Sequence, residues 1–151
     1  MAAGEGTRMK SKKSKVLHKL MNKEIIKYVK KASDFEDSET IVIAGANKPI
    51  LENLFTDVKI VEQNIGKNIP YGTGYAASLA LEFLNDDDQV LILNGDIPLI
   101  KKESLENLIS YHYETDSSCT ILSTMIDNPK GYGRIIRDED KNFIKITEDR
   151  D

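Results

Sequence analysis

Short apolar runs alternate with helical patterns along this chain. Thr40-Ile-Val-Ile-Ala44, Lys59-Ile-Val-Glu62 and Val90-Leu-Ile-Leu93 are the clearest runs, each followed by a polar or glycine-containing break. Runs of this length, rich in branched residues, predict strands. The unbroken run Val90–Leu93 predicts one buried on both faces, as in parallel sheets covered by helices. Ile25, Ile26 and Val29 recur at helical spacing, predicting a helix from about Lys23 to Ala32 that faces the sheet. Pro49 suits the first turn of a helix running to about Phe55. Gly72-Thr73-Gly74 opens a further helix, Tyr75 to about Leu84. Leu105, Leu108 and Ile109, with His112 at the margin, predict an amphipathic covering helix over Lys102–Thr115. Val16–Leu20 reads as a short extended piece and Ser118–Met125 as an alternating strand that holds Cys119. Asp127–Gly131 reads as a loop, and Ile144–Glu148 as a last strand.

Length and composition narrow the picture. The 151 residues are one domain's worth of chain, long enough for a real core. With 40% apolar and 30% charged residues the composition is that of an ordinary soluble protein. There is no apolar run of membrane-spanning length and no secretory signal, which points away from a membrane. The single cysteine excludes an internal disulfide, no cluster resembles a zinc site, and a cytoplasmic setting fits best. The net charge of −4 is unevenly spread. Ten of the 21 Lys and Arg fall in residues 1–31, against Glu5 and Glu24 among the 25 acids. A basic segment in an acidic protein suggests a local anion such as phosphate rather than a nucleic acid. Lys27, Lys30 and Lys31 read instead as a solvated helix face.

Two stretches carry candidate chemistry. After Val90–Leu93 the chain breaks into Asn94-Gly95-Asp96, and open α/β sheets bind ligands beside the carboxyl ends of their strands. Gly95 permits close approach there, and the Asp96 carboxylate suits Mg²⁺, which favours oxygen ligands and arrives with substrate phosphates. An Asp ahead of a Pro-containing loop can also merely cap the turn, and on this stretch alone the two readings are even. The opening Met1-Ala-Ala-Gly-Glu-Gly-Thr-Arg-Met9 offers small residues, two glycines, a hydroxyl and the fixed fork of Arg8. Such a loop can wrap phosphates. It is neither a P-loop nor a dinucleotide fingerprint, and by pattern alone a flexible terminus is the stronger reading.

Taken together the motifs are more specific. Ala2-Ala-Gly-Glu-Gly-Thr-Arg-Met9, Ser11 and Lys15-Val-Leu-His18 resemble the signature of sugar-1-phosphate nucleotidyltransferases. Leu93-Asn-Gly-Asp-Ile-Pro-Leu99, Gly72-Thr-Gly74 and Gly131-Tyr-Gly-Arg-Ile135 follow in the same order. The wording is similar to the uridyltransferase domain of the bacterial bifunctional N-acetylglucosamine-1-phosphate uridyltransferase/glucosamine-1-phosphate acetyltransferases. The resemblance implies a Rossmann-like three-layer α/β/α nucleotidyltransferase fold (the nucleotide-diphospho-sugar transferase fold) with a mostly parallel sheet. It implies transfer from UTP to N-acetylglucosamine 1-phosphate, a step toward peptidoglycan precursors, with Mg²⁺ on Asp96. Arg8 and Lys15 take the catalytic phosphate contacts. Ala2, Ala3, Gly4, Gln63, Gly72 and Thr73 bind the nucleotide, while Asn94, Gly133 and Glu148 bind the sugar. His18 reads as structural.

The resemblance has departures. Ser14 stands where the family usually has Pro, and Tyr75 where it has His. The loop between Gln63 and Gly72 (residues 64–71) is enlarged. The first strand of the family's sheet is absent, with Met1 standing where its last residue falls. The chain stops at Asp151 before a later sugar-contacting segment and a second metal ligand, and lacks the left-handed β-helix that carries acetyl transfer. The expectation is therefore one partial nucleotidyltransferase domain over 1–151, incomplete at both ends, with homo-oligomer formation through the missing parts of the parent left open. Rival readings are another sugar-phosphate nucleotidyltransferase of the same fold and a non-catalytic nucleotide-binding fragment. The presence of Arg8, Lys15 and Asp96 together argues against the second.

Overall fold

The apolar tetrapeptide Ile41–Ala44 carries the fold, because its two faces gather separate parts of the core. The computed structural model describes residues 1–148 except 5, 7, 8, 65, 67, 68 and 71. In chain order, a 3₁₀ turn at Lys15–Leu17 precedes β1 (Lys19–Leu20), β2 (Lys23–Glu24) and α1 (Ile25–Ala32). Then come β3 (Ile41–Ala44), α2 (Lys48–Leu54), β4 (Lys59–Glu62) and α3 (Thr73–Ser78). α4 (Lys102–Glu114), β5 (Arg134–Arg137) and β6 (Phe143–Thr147) complete it.

β3 and β4 form a parallel pair in the register Ile41↔Lys59 to Ala44↔Glu62. Alternate side chains of a strand point to opposite faces. Val42 and Ala44 accordingly join Val16, Leu17, Ile26 and Leu51 in one buried cluster, which α1 and α2 cover. Ile43 joins Ala3 and Ala76 in a second, which α3 covers. In α1 the buried residues are Ile26, Val29 and Ala32, the face that the helical spacing predicts. Pro49 lies in the first turn of α2, where its missing N–H costs nothing.

Several expectations need correction. In place of one mostly parallel sheet, the described residues form three two-stranded pairs: β3–β4 is parallel, while β1–β2 and β5–β6 are antiparallel. Val90–Leu93 is no buried strand. Among the described residues it pairs with no strand, and Val90 and Ile92 are 51% and 54% exposed, because a groove separates this segment from β3. Val16–Leu20 divides into the 3₁₀ turn and β1. Lys23–Glu24 pairs with β1 across Met21 and Asn22, both at positive φ as a tight hairpin turn requires, so α1 starts later than its spacing suggests. α3 ends at Ser78 and is followed by a 3₁₀ turn at Leu81–Phe83 rather than reaching Leu84 as one helix. Ser118–Met125 has no strand partner among the described residues, and Cys119 within it is exposed.

Candidate functional site

Main-chain bonds bring three segments to one point. The Met1 ammonium donates to Leu93 O at 2.5 Å and Gly95 N–H donates to Met1 O at 2.8 Å. Ala2 N–H donates to Ile43 O at 2.7 Å, giving a parallel bridge between Ala2 and Ala44. Met1 and Ala2 thus lie between the carboxyl end of β3 and the Leu93–Asp96 turn. Two glycines permit the approach. A Cβ on Gly95 would fall 2.9 Å from Met1 O, and one on Gly45 2.9 Å from Ala3 O, both against backbone that cannot move aside.

The turn holds Asp96 against Lys15, Oδ2 to Nζ at 2.5 Å, with each side chain about one-third exposed. Gly4 and Gly6 pack on the Lys15 stem. A Cβ on Gly4 would meet Lys15 Cε at 3.3 Å, and Gly6 has a left-handed φ of +62° with its Cβ position 3.0 Å from Lys15 Cβ. Burial pushes the Met1 amino group below its ordinary pKa, the larger effect, while the Asp96 charge raises it in part. Asn47 fixes the assembly. Its Oδ1 accepts from Gly45 N–H at 2.9 Å, and its Nδ2 donates to Ala2 O and to Ser14 Oγ, both at 3.1 Å. Ser14 therefore supplies a side-chain tie to the loop that bears Lys15. Gln63 N–H donates to Ala44 O at 2.7 Å, and its side chain is buried, with no hydrogen-bond partner for Nε2 among the described residues.

A family model described as MobA-like NTP transferase domain matches residues 1–135. The chain belongs to this family. It is 42% identical over 154 residues to the bifunctional protein GlmU of Clostridioides difficile strain 630. Identity is 44% over 153 residues to that of Caldanaerobacter subterraneus subsp. tengcongensis and 41% over 157 residues to that of Lactococcus lactis strain IL1403. Each match covers all of this chain and about a third of the relative, so the chain spans about a third of the length of the curated relatives it matches.

Within this NTP transferase domain the sequence-derived residues fall into groups. Ala2, Ala3, Gly4, Lys15 and Asp96 meet around the Met1 rungs, with Gln63 one residue beyond β4. Asn94, in the same turn, is exposed. Gly72 caps α3 at a φ of +115°, with Thr73 exposed as its first residue. Gly133 and Glu148 meet separately on the β5–β6 hairpin, where a Cβ on Gly133 would stand 3.5 Å from Glu148 Oε1. Arg8 lies outside the described residues, as do residues 65, 67, 68 and 71, half of the expected enlarged loop. Asn47 escaped the sequence reading as a site organiser; its signal was an Asn two residues after a strand-ending glycine, where a buried amide can bridge main chain.

The donor set bears on Mg²⁺. Among the described residues no group of three or more His, Cys, Asp or Glu could hold a metal ion, so an all-protein cage does not fit. A single carboxylate open to solvent on one side does fit an ion shared with substrate, because Mg²⁺ is commonly held by one or two carboxylates plus phosphate oxygens. No described helix is long and apolar enough to cross a membrane.

Proposed function

We propose that the parent protein transfers uridylyl from UTP to N-acetylglucosamine 1-phosphate, forming UDP-N-acetylglucosamine and pyrophosphate. The observation that supports this reading is the Lys15–Asp96 pair, held by main chain at the end of β3. A phosphate oxygen of the sugar phosphate attacks the α-phosphorus in line, and the bond to the bridging oxygen of pyrophosphate breaks. No general base is needed, since the nucleophile is already an anion. Such transfers depend on positioning and charge neutralisation rather than on covalent help. An ion pair as exposed as Lys15–Asp96 is worth about 1 kcal/mol or less, so Lys15 can exchange its carboxylate for a substrate phosphate. Asp96 is then left to hold Mg²⁺, which supplies Lewis-acid neutralisation of phosphate oxygens. Arg8 steadies the departing phosphates through its bidentate fork. Ala2, Ala3, Gly4, Gly72 and Thr73 hold the nucleotide, and the unpaired Gln63 Nε2 donates to a base carbonyl. Asn94, Gly133 and Glu148 bind the sugar.

Binding of UTP in the presence of Mg²⁺, followed by pyrophosphate release from UTP, dTTP or CTP with the sugar phosphate, tests this. Asp96→Ala and Lys15→Met are each expected to weaken Mg²⁺-dependent UTP binding at least about tenfold, roughly 1.4 kcal/mol. Preference for UTP over dTTP and CTP is expected to separate this reaction from those of related enzymes. Unchanged Mg²⁺-dependent binding in Asp96→Ala would overturn the assignment.

A further inference from the structure

Lys10, Lys12 and Lys13 are exposed, and among the described residues none of them has a carboxylate within ion-pair distance. The lysines that follow are treated differently. Lys15 holds Asp96, Lys19 and Lys27 share Glu24, and Lys30 meets Asp34 and Asp57. Like charges packed into four residues repel one another, and a chain of net charge −4 has acids to spare for neutralising them. These lysines nevertheless stay together and unpaired.

The loop that bears them is anchored. Met9 N–H donates to Gly6 O at 2.9 Å, Lys10 turns the chain at a φ of +49°, and Lys13 N–H donates to Ser11 Oγ at 3.1 Å. At its far end Ser14 Oγ accepts from Asn47 Nδ2, and Val16 and Leu17, just past Lys15, are buried in the core. The lysines are therefore held beside Lys15. From chain geometry, Lys13 Cα stands no more than about 7 Å from Lys15 Cα, and Lys12 Cα no more than about 11 Å. The screening length at physiological ionic strength is about 8 Å, so Lys12 and Lys13 add their field to that of Lys15.

We propose that Lys10, Lys12 and Lys13 form an encounter site for the polyphosphate of the incoming nucleoside triphosphate, capturing it from solution and passing it to Lys15. The proposal rests on the transfer reaction proposed above and gives a kinetic role to residues outside the Lys15–Asp96 pair. A net negative surface repels a polyanion, and one local positive field redirects it to a single entrance. A lysine ammonium meets phosphate as a point charge without fixed geometry, which suits a transient stop better than a final seat. Charges at the rim of a site act on association, whereas groups buried with the ligand act on dissociation. The patch is also shorter than the row of about 6–10 phosphate contacts that a nucleic-acid binder commonly makes.

Rapid-mixing kinetics with a ribose-labelled fluorescent UTP analogue and Mg²⁺ tests the site. Lys10→Gln, Lys12→Gln and Lys13→Gln combined are expected to slow association at least about tenfold at low salt, with dissociation changed less than about twofold. At about 1 M salt, where the screening length falls to about 3 Å, the difference is expected to vanish. Arginine at the same three positions is expected to keep the original rate. Glutamine at Lys31, Lys141 and Lys145, which are exposed, changes the net charge equally and is expected to leave association within about twofold. Equal slowing by the two glutamine triples, unchanged association in the first, or a loss confined to dissociation that persists at high salt would each overturn the proposal. So would preferential capture of an oligouridylate over inorganic triphosphate at equal phosphate concentration, which assigns the patch to nucleic acid. Inorganic triphosphate separates this proposal from the reaction it rests on. Its salt-sensitive capture, lost in the Lys10, Lys12 and Lys13 triple, upholds the encounter site even where UTP is not preferred, an outcome that overturns the proposed reaction alone.

Discussion

Residues 1–76 and residues 106–148 are equally able to supply apolar side chains, yet they bury them very differently. Almost the whole core lies in the first region, around β3, whereas no described residue after Leu105 is buried. Ile121, Leu122, Met125, Ile126, Ile144 and Ile146 are all more than 40% exposed. Hydrophobicity is therefore not what separates the regions. β3 has helices on both faces, and its alternating side chains feed two clusters. β5–β6 is a two-stranded hairpin, and a hairpin alone buries too little to be stable. A layer needs a second layer before an apolar residue becomes core.

The comparison breaks most directly at Leu51. This side chain is fully buried against Val16 and Val42, whereas Ile146 is 48% exposed on the hairpin. Leu51→Ala is expected to cost about 2–5 kcal/mol through lost burial and the cavity left behind. Ile146→Ala is expected to stay within about 0.5 kcal/mol. Urea denaturation measures both, and similar losses at the two sites would show that the hairpin has a core of its own.

Asn47 sharpens the comparison at the level of polar groups. Asn47→Ala leaves Gly45 N–H and Ala2 O without their buried partner, and is expected to cost about 1–3 kcal/mol. Asn142 makes a superficially similar bond from Nδ2 to Asp138 Oδ2, but on an exposed turn. Asn142→Ala is expected to change stability by about 0.5 kcal/mol or less. The pair separates an amide that joins distant segments from one that decorates a local turn; equal costs would erase that distinction.

The same contrast marks what could be read from the sequence. β3, β4, α1, α2 and α4 follow from local pattern, because each is covered by a neighbour close along the chain or closed by a clear stop. The nearness of Ala2, Lys15 and Asp96 was an expectation of the motif resemblance, and the structure brings the three together around Met1. Val90–Leu93 misled because a buried-strand pattern states what a segment needs, not whether its neighbours are in place. Ser118–Met125 failed for the same reason. Asn47 was illegible because its bonds to Ala2 and Ser14 span 45 and 33 residues, and no local pattern encodes them.

The smallest expected effect lies where the buried half of the molecule meets its groove, at the Met1 amino group. Burial lowers its pKa on folding, so between that lowered value and the ordinary value of about 8 the unfolded chain binds more protons than the folded one. Stability must then rise with pH through this window and level off above it. A single group limits the slope to about 1.4 kcal/mol per pH unit, so the melting temperature is expected to climb by a few degrees at most. Acetylating the amino group removes this titration, so the difference between the two pH–stability curves isolates Met1. A difference curve that is flat, or that falls as pH rises toward 8, would mean that the ammonium is not held against Leu93 in solution.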